Sequence, residues 1–182
     1  MIDVRWYGRG GQGAFTAARL LGRIMSVYKG GYALAYPSFG PERRGAPVWS
    51  FTRLSEEKIL DRSQPDKSDY LIVLDETLLD EKTYDVLSED GVVIINTASP
   101  EKYRDHARRV ICINATKMAV EYLGRPITNI AMIGAFAAAS DMFEMEYAEK
   151  ALEDTFAPKI CGKNKALLHA SYEEVKRGGR HE

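Results

Sequence analysis

Gly8-Arg9-Gly10-Gly11-Gln12-Gly13 decides how the rest of the chain is read. Ahead of it, Ile2-Asp3-Val4-Arg5-Trp6-Tyr7 alternates in strand fashion. Behind it, Ala14 to Met25 reads as a helix, with Phe15, Ala18, Leu21 or Gly22 and Met25 on one face. Glycines 8, 10 and 13 fit the G-x-G-x-x-G spacing in the strand, turn, helix context that gives the spacing its meaning. A backbone without Cβ atoms turns tightly and leaves room for a ligand. The first amides of the following helix have no internal partner and sit at the positive end of its dipole, so an anion is favoured there. The same turn also serves simply to pack a helix closely on a strand, and both readings stand at this level. Dinucleotide binding further asks for an acidic residue about 20 positions on, at the end of the second strand. The matching stretch, Tyr32 to Ser38, has no Asp or Glu, which argues against ordinary NAD binding.

Outward from the turn, Lys29-Gly30-Gly31 supplies a helix stop and Tyr32 to Tyr36 reads as a short buried strand. Pro37-Ser38-Phe39-Gly40-Pro41-Glu42-Arg43-Arg44-Gly45-Ala46-Pro47 follows, a loop stiffened by three prolines and carrying adjacent arginines. Val48 to Leu54 alternates as a strand, with Trp49 and Phe51 on one face and Val48, Ser50 and Thr52 on the other. Tyr70-Leu71-Ile72-Val73-Leu74 and Val92-Val93-Ile94-Ile95-Asn96 are nearly continuous apolar runs, the signature of strands covered on both faces in a parallel sheet. Asp75 and Glu76 follow the first run, either at the carboxyl end of a strand, where open α/β sheets place ligands, or as the acidic start of the next helix, read from Leu78 to Leu87. Val110 to Asn114 is a further short strand.

The last third is helical. Ala115 to Leu123 ends at Gly124; Asn129 to Ser140 is apolar all round and reads as a buried helix with Gly134 at a close approach; Glu146 to Phe156 and Ile160 to Val175 complete the set. Strands alternating with helices predict an α/β, Rossmann-like three-layer fold, with a mostly parallel sheet, helices on both faces and a helical C-terminal third. The 182 residues fit a single domain, 1–182.

Bulk properties exclude several classes. A net charge of −1 gives no field for nucleic acid or an anionic membrane. No apolar run reaches bilayer length, and the first residues enter a strand directly, so a cytoplasmic protein without a secretory leader is expected. Cys112 and Cys161 are too few for an iron–sulfur cluster, which takes four thiolates. His106, His169 and His181 lack metal-ligand spacing and read as solvated surface. No Ser-His-Asp pattern, metal cluster or thiamine motif appears, so no catalytic and no metal-binding residue is expected. Cys112 lies in an apolar strand, which disfavours a nucleophilic role.

Taken together, "GRGGQGAFTAARLLG", "YPSFGPERRGAPV", "NIAMIGAFA" and "FAPKICGKN" resemble, in the same order, the gamma subunit of the 2-oxoacid:ferredoxin oxidoreductases, the pyruvate and 2-oxoisovalerate types nearest. The resemblance spans nearly the whole chain. It implies a subunit of a multi-subunit enzyme that decarboxylates a 2-oxoacid, pyruvate first, with coenzyme A, to acyl-CoA, carbon dioxide and reduced ferredoxin. It implies alpha, beta and delta-type partner subunits, with thiamine diphosphate, Mg2+ and iron–sulfur clusters held in them, and coenzyme A as co-substrate. On that reading Gly10, Gly11, Gln12 and Gly13 offer amides, and Arg43 and Arg44 planar cations, to coenzyme A, to another anion or to carboxylates of a neighbouring subunit. Two other readings stay open: a self-contained nicotinamide-dependent Rossmann oxidoreductase, and an assembly module without a ligand.

Overall fold

Alternation in Ile2–Arg9 produces the strand β1, and the sheet grows from it in both directions. The structure, a computed structural model, describes residues 1–38 and 44–178; Arg43 and His181 lie outside the described residues. The further strands are β2 (Tyr32–Pro37), β3 (Pro47–Ser55), β4 (Ser68–Val73), β5 (Leu87–Asn96) and β6 (Arg109–Ile113), in the order β2-β3-β1-β4-β5-β6. β1, β4, β5 and β6 are parallel, while β3 is antiparallel to both β1 and β2. Among the described strands, β3 alone therefore opposes the common direction, and the mostly parallel sheet stands as expected.

The helices are α1 (Ala14–Arg23), α2 (Ala115–Leu123), α3 (Asn129–Ser140), α4 (Met145–Thr155) and α5 (Pro158–Gly178). All five pack into one core with Val4, Trp6, Leu54, Ile72, Leu74, Val92 and Ile94 on one face of the sheet. The opposite face buries Tyr7, Leu71, Val73, Leu87, Val93 and Ile95 against the side chains of Leu78, Leu79, Tyr84 and Tyr103. The second outer layer is thus made of short 3-10 turns, Glu76–Leu78, Glu81–Val86 and Pro100–Tyr103, rather than of α-helices.

That finding corrects the helix expected over Leu78 to Leu87. Asp75 accepts the Thr77 amide and Asp80 the Thr83 amide, so two separate short turns are capped where one helix was read, and Leu79 between them is extended. Tyr32 to Tyr36 is not buried either: β2 is an edge strand with β3 as its neighbour, and its side chains are half-buried or exposed. In α1, Ala14, Ala17, Ala18 and Leu21 close on the sheet, leaving Phe15 37% exposed with the Arg19 guanidinium 5.8 Å from its ring centre. A single π-helical turn, Ile24–Tyr28, extends α1 before the stop at Lys29.

The α3 reading holds to the residue. Every residue from Asn129 to Ala138 is buried, and a Cβ on Gly134 would run into Ser171 Oγ and the Leu168 carbonyl of α5. Small residues let these two helices approach closely at the centre of the helical layer. α5 begins earlier than expected, at Pro158, because proline suits the first turn of a helix. Among the described residues no helix is long and apolar enough to cross a membrane.

Candidate anion-binding turn

The turn after β1 is closed by its own residues. The Gln12 amide donates to the Arg9 carbonyl at 2.9 Å, and the Arg9 amide donates to Gln12 Oε1 at 2.7 Å. Gly13 caps α1 in the left-handed region, φ 84°, which favours glycine, and no side chain caps the helix. Ala14, Phe15 and Thr16, the first residues of α1, have no partner for their amides inside the helix. Gly11 is exposed at the tip.

The glycine turn and the arginine-bearing loop, more than thirty residues apart, are tied together. The Gly10 amide donates to the Ala46 carbonyl at 2.8 Å, and the Gly45 amide donates back to the Gly10 carbonyl at 3.0 Å. Arg9 Nη1 adds a bond to the Gly45 carbonyl at 3.2 Å. Arg44 therefore stands exposed beside the turn, with no side-chain partner among the described residues. Of the residues expected at the site, Gly10, Gly11, Gln12, Gly13 and Arg44 come together; Arg43 lies outside the described residues. The Gly10 and Gln12 amides are committed to carbonyls of the protein, whereas those of Gly11 and Gly13 have no partner among the described residues.

A third element reaches the turn. Asp75, at the carboxyl end of β4, accepts from Arg9 Nε at 2.9 Å and from Gln12 Nε2 at 3.1 Å, while Arg9 Nη2 donates to Thr77 Oγ1 at 2.9 Å. Asp75 lies just past the carboxyl end of β4, as read, and caps a short 3-10 turn rather than the helix read there. Burial pushes its carboxyl up, but bonds from Thr77, Gln12 and Arg9 outweigh that and hold it below the ordinary carboxylate range. Arg9 was hidden in plain sight as the variable position of a glycine pattern.

β3 also removes the dinucleotide geometry. In a nucleotide-binding sheet the second strand lies beside the first and brings the ribose-binding acid to the crevice. Here antiparallel β3 intervenes, and the residues leading into it, Gly45 and Ala46, occupy the position beside Gly10. Elsewhere, no three His, Cys, Asp or Glu side chains gather as metal ligands among the described residues, so the donor set of an iron–sulfur cluster is not assembled by them. Cys112 and Cys161 are both free, on β6 and α5, and burial pushes the Cys112 thiol up to about 11, away from nucleophile chemistry. His106 accepts the Arg108 amide and tilts against Tyr84, and His169 pairs with Glu149 at 2.8 Å.

Comparison with known proteins agrees with this architecture over its whole length. A family model described as pyruvate ferredoxin/flavodoxin oxidoreductase matches residues 3–174. The pyruvate synthase subunit PorC of Methanothermobacter marburgensis is 43% identical, over 98% of this chain and 100% of that protein. The pyruvate/ketoisovalerate oxidoreductases common subunit gamma of Pyrococcus abyssi is 42% identical, over 96% of this chain and 97% of its own. The crystal structure of pyruvate oxidoreductase subunit PORC from Thermotoga maritima superposes with a TM-score of 0.82 at 32% identity, covering 94% of this chain and 95% of that one. Read with the turn, the loop bound to it and the helical layer behind them, these matches mean that the chain belongs to the pyruvate ferredoxin/flavodoxin oxidoreductase family, in its gamma-subunit branch.

Proposed function

We propose that the chain works as the gamma subunit of a multi-subunit 2-oxoacid:ferredoxin oxidoreductase, with pyruvate as the first substrate to test. The complex removes carbon dioxide from the 2-oxoacid, passes the acyl group to coenzyme A and the electrons to ferredoxin. The observation that carries this reading is the end-to-end match to gamma subunits, 43% identity over the full length of a relative. Thiamine diphosphate, Mg2+ and the iron–sulfur clusters are assigned to alpha, beta and delta-type partners, and the whole to the cytoplasm.

The part assigned to this chain is assembly and anion contact. Gly11 and Gly13 supply amides, Gly10 and Gln12 shape the turn, and Arg44 with Arg43 supplies cations to coenzyme A. The tie between Gly10 and Gly45-Ala46 supports this, because it keeps Arg44 near a helix start.

Anaerobic purification of the tagged chain from its native cells tests the assignment. Partner chains carrying thiamine diphosphate and iron–sulfur absorbance should copurify, and the eluate should reduce a viologen dye only with both pyruvate and coenzyme A. Turnover by the chain alone would overturn the division of labour. Calorimetric titration of the chain with NAD and with coenzyme A separates a stand-alone nicotinamide enzyme: tight NAD binding would favour that alternative.

A further inference from the structure

β6 ends the sheet, with β5 as its one neighbouring strand among those described. Its parallel ladder runs from Arg109 to Ile113 without a register shift. Alternate residues of such a strand turn their amides and carbonyls to opposite sides. The Ile113 carbonyl takes the Thr97 amide at 3.0 Å on the β5 side. The backbone groups of Arg109 and Ile111 therefore also face β5, and those of Val110 and Cys112 face away from the sheet. No described residue bonds to these outward amides and carbonyls. Natural edge strands are blunted by proline, lysine, bulges or a covering element. β2, at the other edge, ends in Pro37, whereas β6 has no proline, no lysine and no bulge.

A groove of about 1030 Å³ lies along this edge, bordered by the Pro100–Tyr103 turn and the last turn of α5. It reaches both faces of the sheet. Tyr103 and Val110 belong to the face under the short turns, and Ala139, Val175 and Ile111 to the helical face. A strand laid in the groove would set alternate side chains on these two apolar surfaces. The charges around it are unequal. Of the acids lining it, Asp141 pairs with Lys176 at 2.6 Å and Glu174 with Arg177 at 2.8 Å, which leaves Glu101. Arg108 bonds only to the Ser88 and Glu89 carbonyls, and Arg104 and Arg109 are exposed and hold no ion pair among the described residues. Three guanidinium groups thus stand against one free carboxylate.

We infer that the β6 edge takes an extended, acidic segment of a partner subunit, which adds to the sheet as a further strand. Main-chain bonds to Val110 and Cys112 hold it, and the guanidinium groups of Arg104 and Arg109 select its carboxylates. A second copy of this chain fits poorly: two β6 edges would bring like charges together, and β2 carries no acid. The inference rests on the reading of the chain as a subunit and gives that assembly a surface apart from the glycine turn.

The tagged chain, recovered anaerobically with its partners, is compared with the chain alone by hydrogen exchange and mass spectrometry. The outward amides in peptides spanning 109–113 should exchange about tenfold more slowly, or slower still, in the complex. A photo-crosslinking residue in place of Arg104 should join to an acidic stretch of a partner subunit. Arg104→Glu with Arg109→Glu should lower the recovery of partners about tenfold or more. Neither side chain holds an ion pair, so the melting temperature of that variant should stay at the wild-type value, which separates lost docking from lost fold. Arg104→Lys with Arg109→Lys keeps the charge and should retain most of the recovery. Unchanged exchange over 109–113 in an intact complex, a crosslink to a second copy of this chain, or equal recovery with the charges reversed would overturn the inference and leave the subunit assignment standing. Recovery of no partner chains at all would remove that assignment and this surface with it.

Discussion

The two tryptophans of the chain stand on opposite faces of one sheet, and their surroundings differ in kind. Trp6, on β1, is fully buried under the helical layer, and its Nε1 donates to Thr52 Oγ1 at 3.0 Å, which in turn donates to the Ala18 carbonyl. Trp49, on β3, is half-buried and lies flat on Tyr7, ring centres 3.8 Å apart. The guanidinium of Arg5 sits 5.7 Å from the Trp49 ring and 5.2 Å from Phe51. Arg5 is itself buried, bonded to Ser68 Oγ and the Pro65 carbonyl, while Arg53 pairs with Asp3 at 2.8 Å. One face is therefore held by a large core packed against helices. The other combines a smaller aliphatic cluster with stacked rings and buried guanidinium groups under loops and short turns. The first arrangement tolerates little change of volume, and the second has polar partners and half-exposed rings to spare.

If that division is right, truncation on the helical face has the larger effect. Trp6→Ala should cost about 3–5 kcal/mol, the range for emptying a large aromatic site in a close-packed core. Urea unfolding followed by circular dichroism measures it, and a loss below about 1 kcal/mol would mean that the helical layer collapses readily onto the gap. Trp49→Ala should cost less, about 1–2 kcal/mol, since it removes one stacked pair and a partly exposed ring. Acrylamide should quench the fluorescence that Trp49→Ala removes more strongly than the fluorescence that remains. Reversal of either order would break the comparison between the faces.

The helical face was also the legible one. Asn129 to Ser140 and Ala115 to Leu123 were readable to the residue, because the first is an unbroken apolar run and the second an amphipathic segment stopped by Gly124. Gly134 could be read as a close approach because a glycine inside such a helix has little other use. The opposite face was read less well. Asp75 reads as a helix start and Asp80 as an interior position of that helix, and each caps a single 3-10 turn instead, since each bonds a backbone amide only two or three residues on. The edge position of β2 is a fact of strand order, which no local pattern in Tyr32 to Pro37 encodes. At the site, the glycine turn and its arginine loop were visible as motifs, but their mutual hydrogen bonds follow from β3 lying beside β1.

The junction between the two faces gives the smallest effect. Asp75 joins the end of β4 to the turn after β1 through Arg9 and Gln12. Its carboxyl is held below the ordinary range in the folded protein, so the stabilisation it gives is present above its unfolded value, about 3.9, and is lost as pH falls through the lower folded value. Asp75→Asn should therefore destabilise the chain at neutral pH by about 1 kcal/mol, the low end for charged hydrogen bonds because Arg9 is more than a third exposed and water screens it. The difference between wild type and variant should shrink as the pH is lowered past the unfolded carboxylate range, measured as paired urea midpoints across the acid limb. A difference that stayed constant with pH would locate the effect in the Thr77 cap, whose geometry an Asn side chain also satisfies poorly or well regardless of charge, and would detach Asp75 from the electrostatics of the turn.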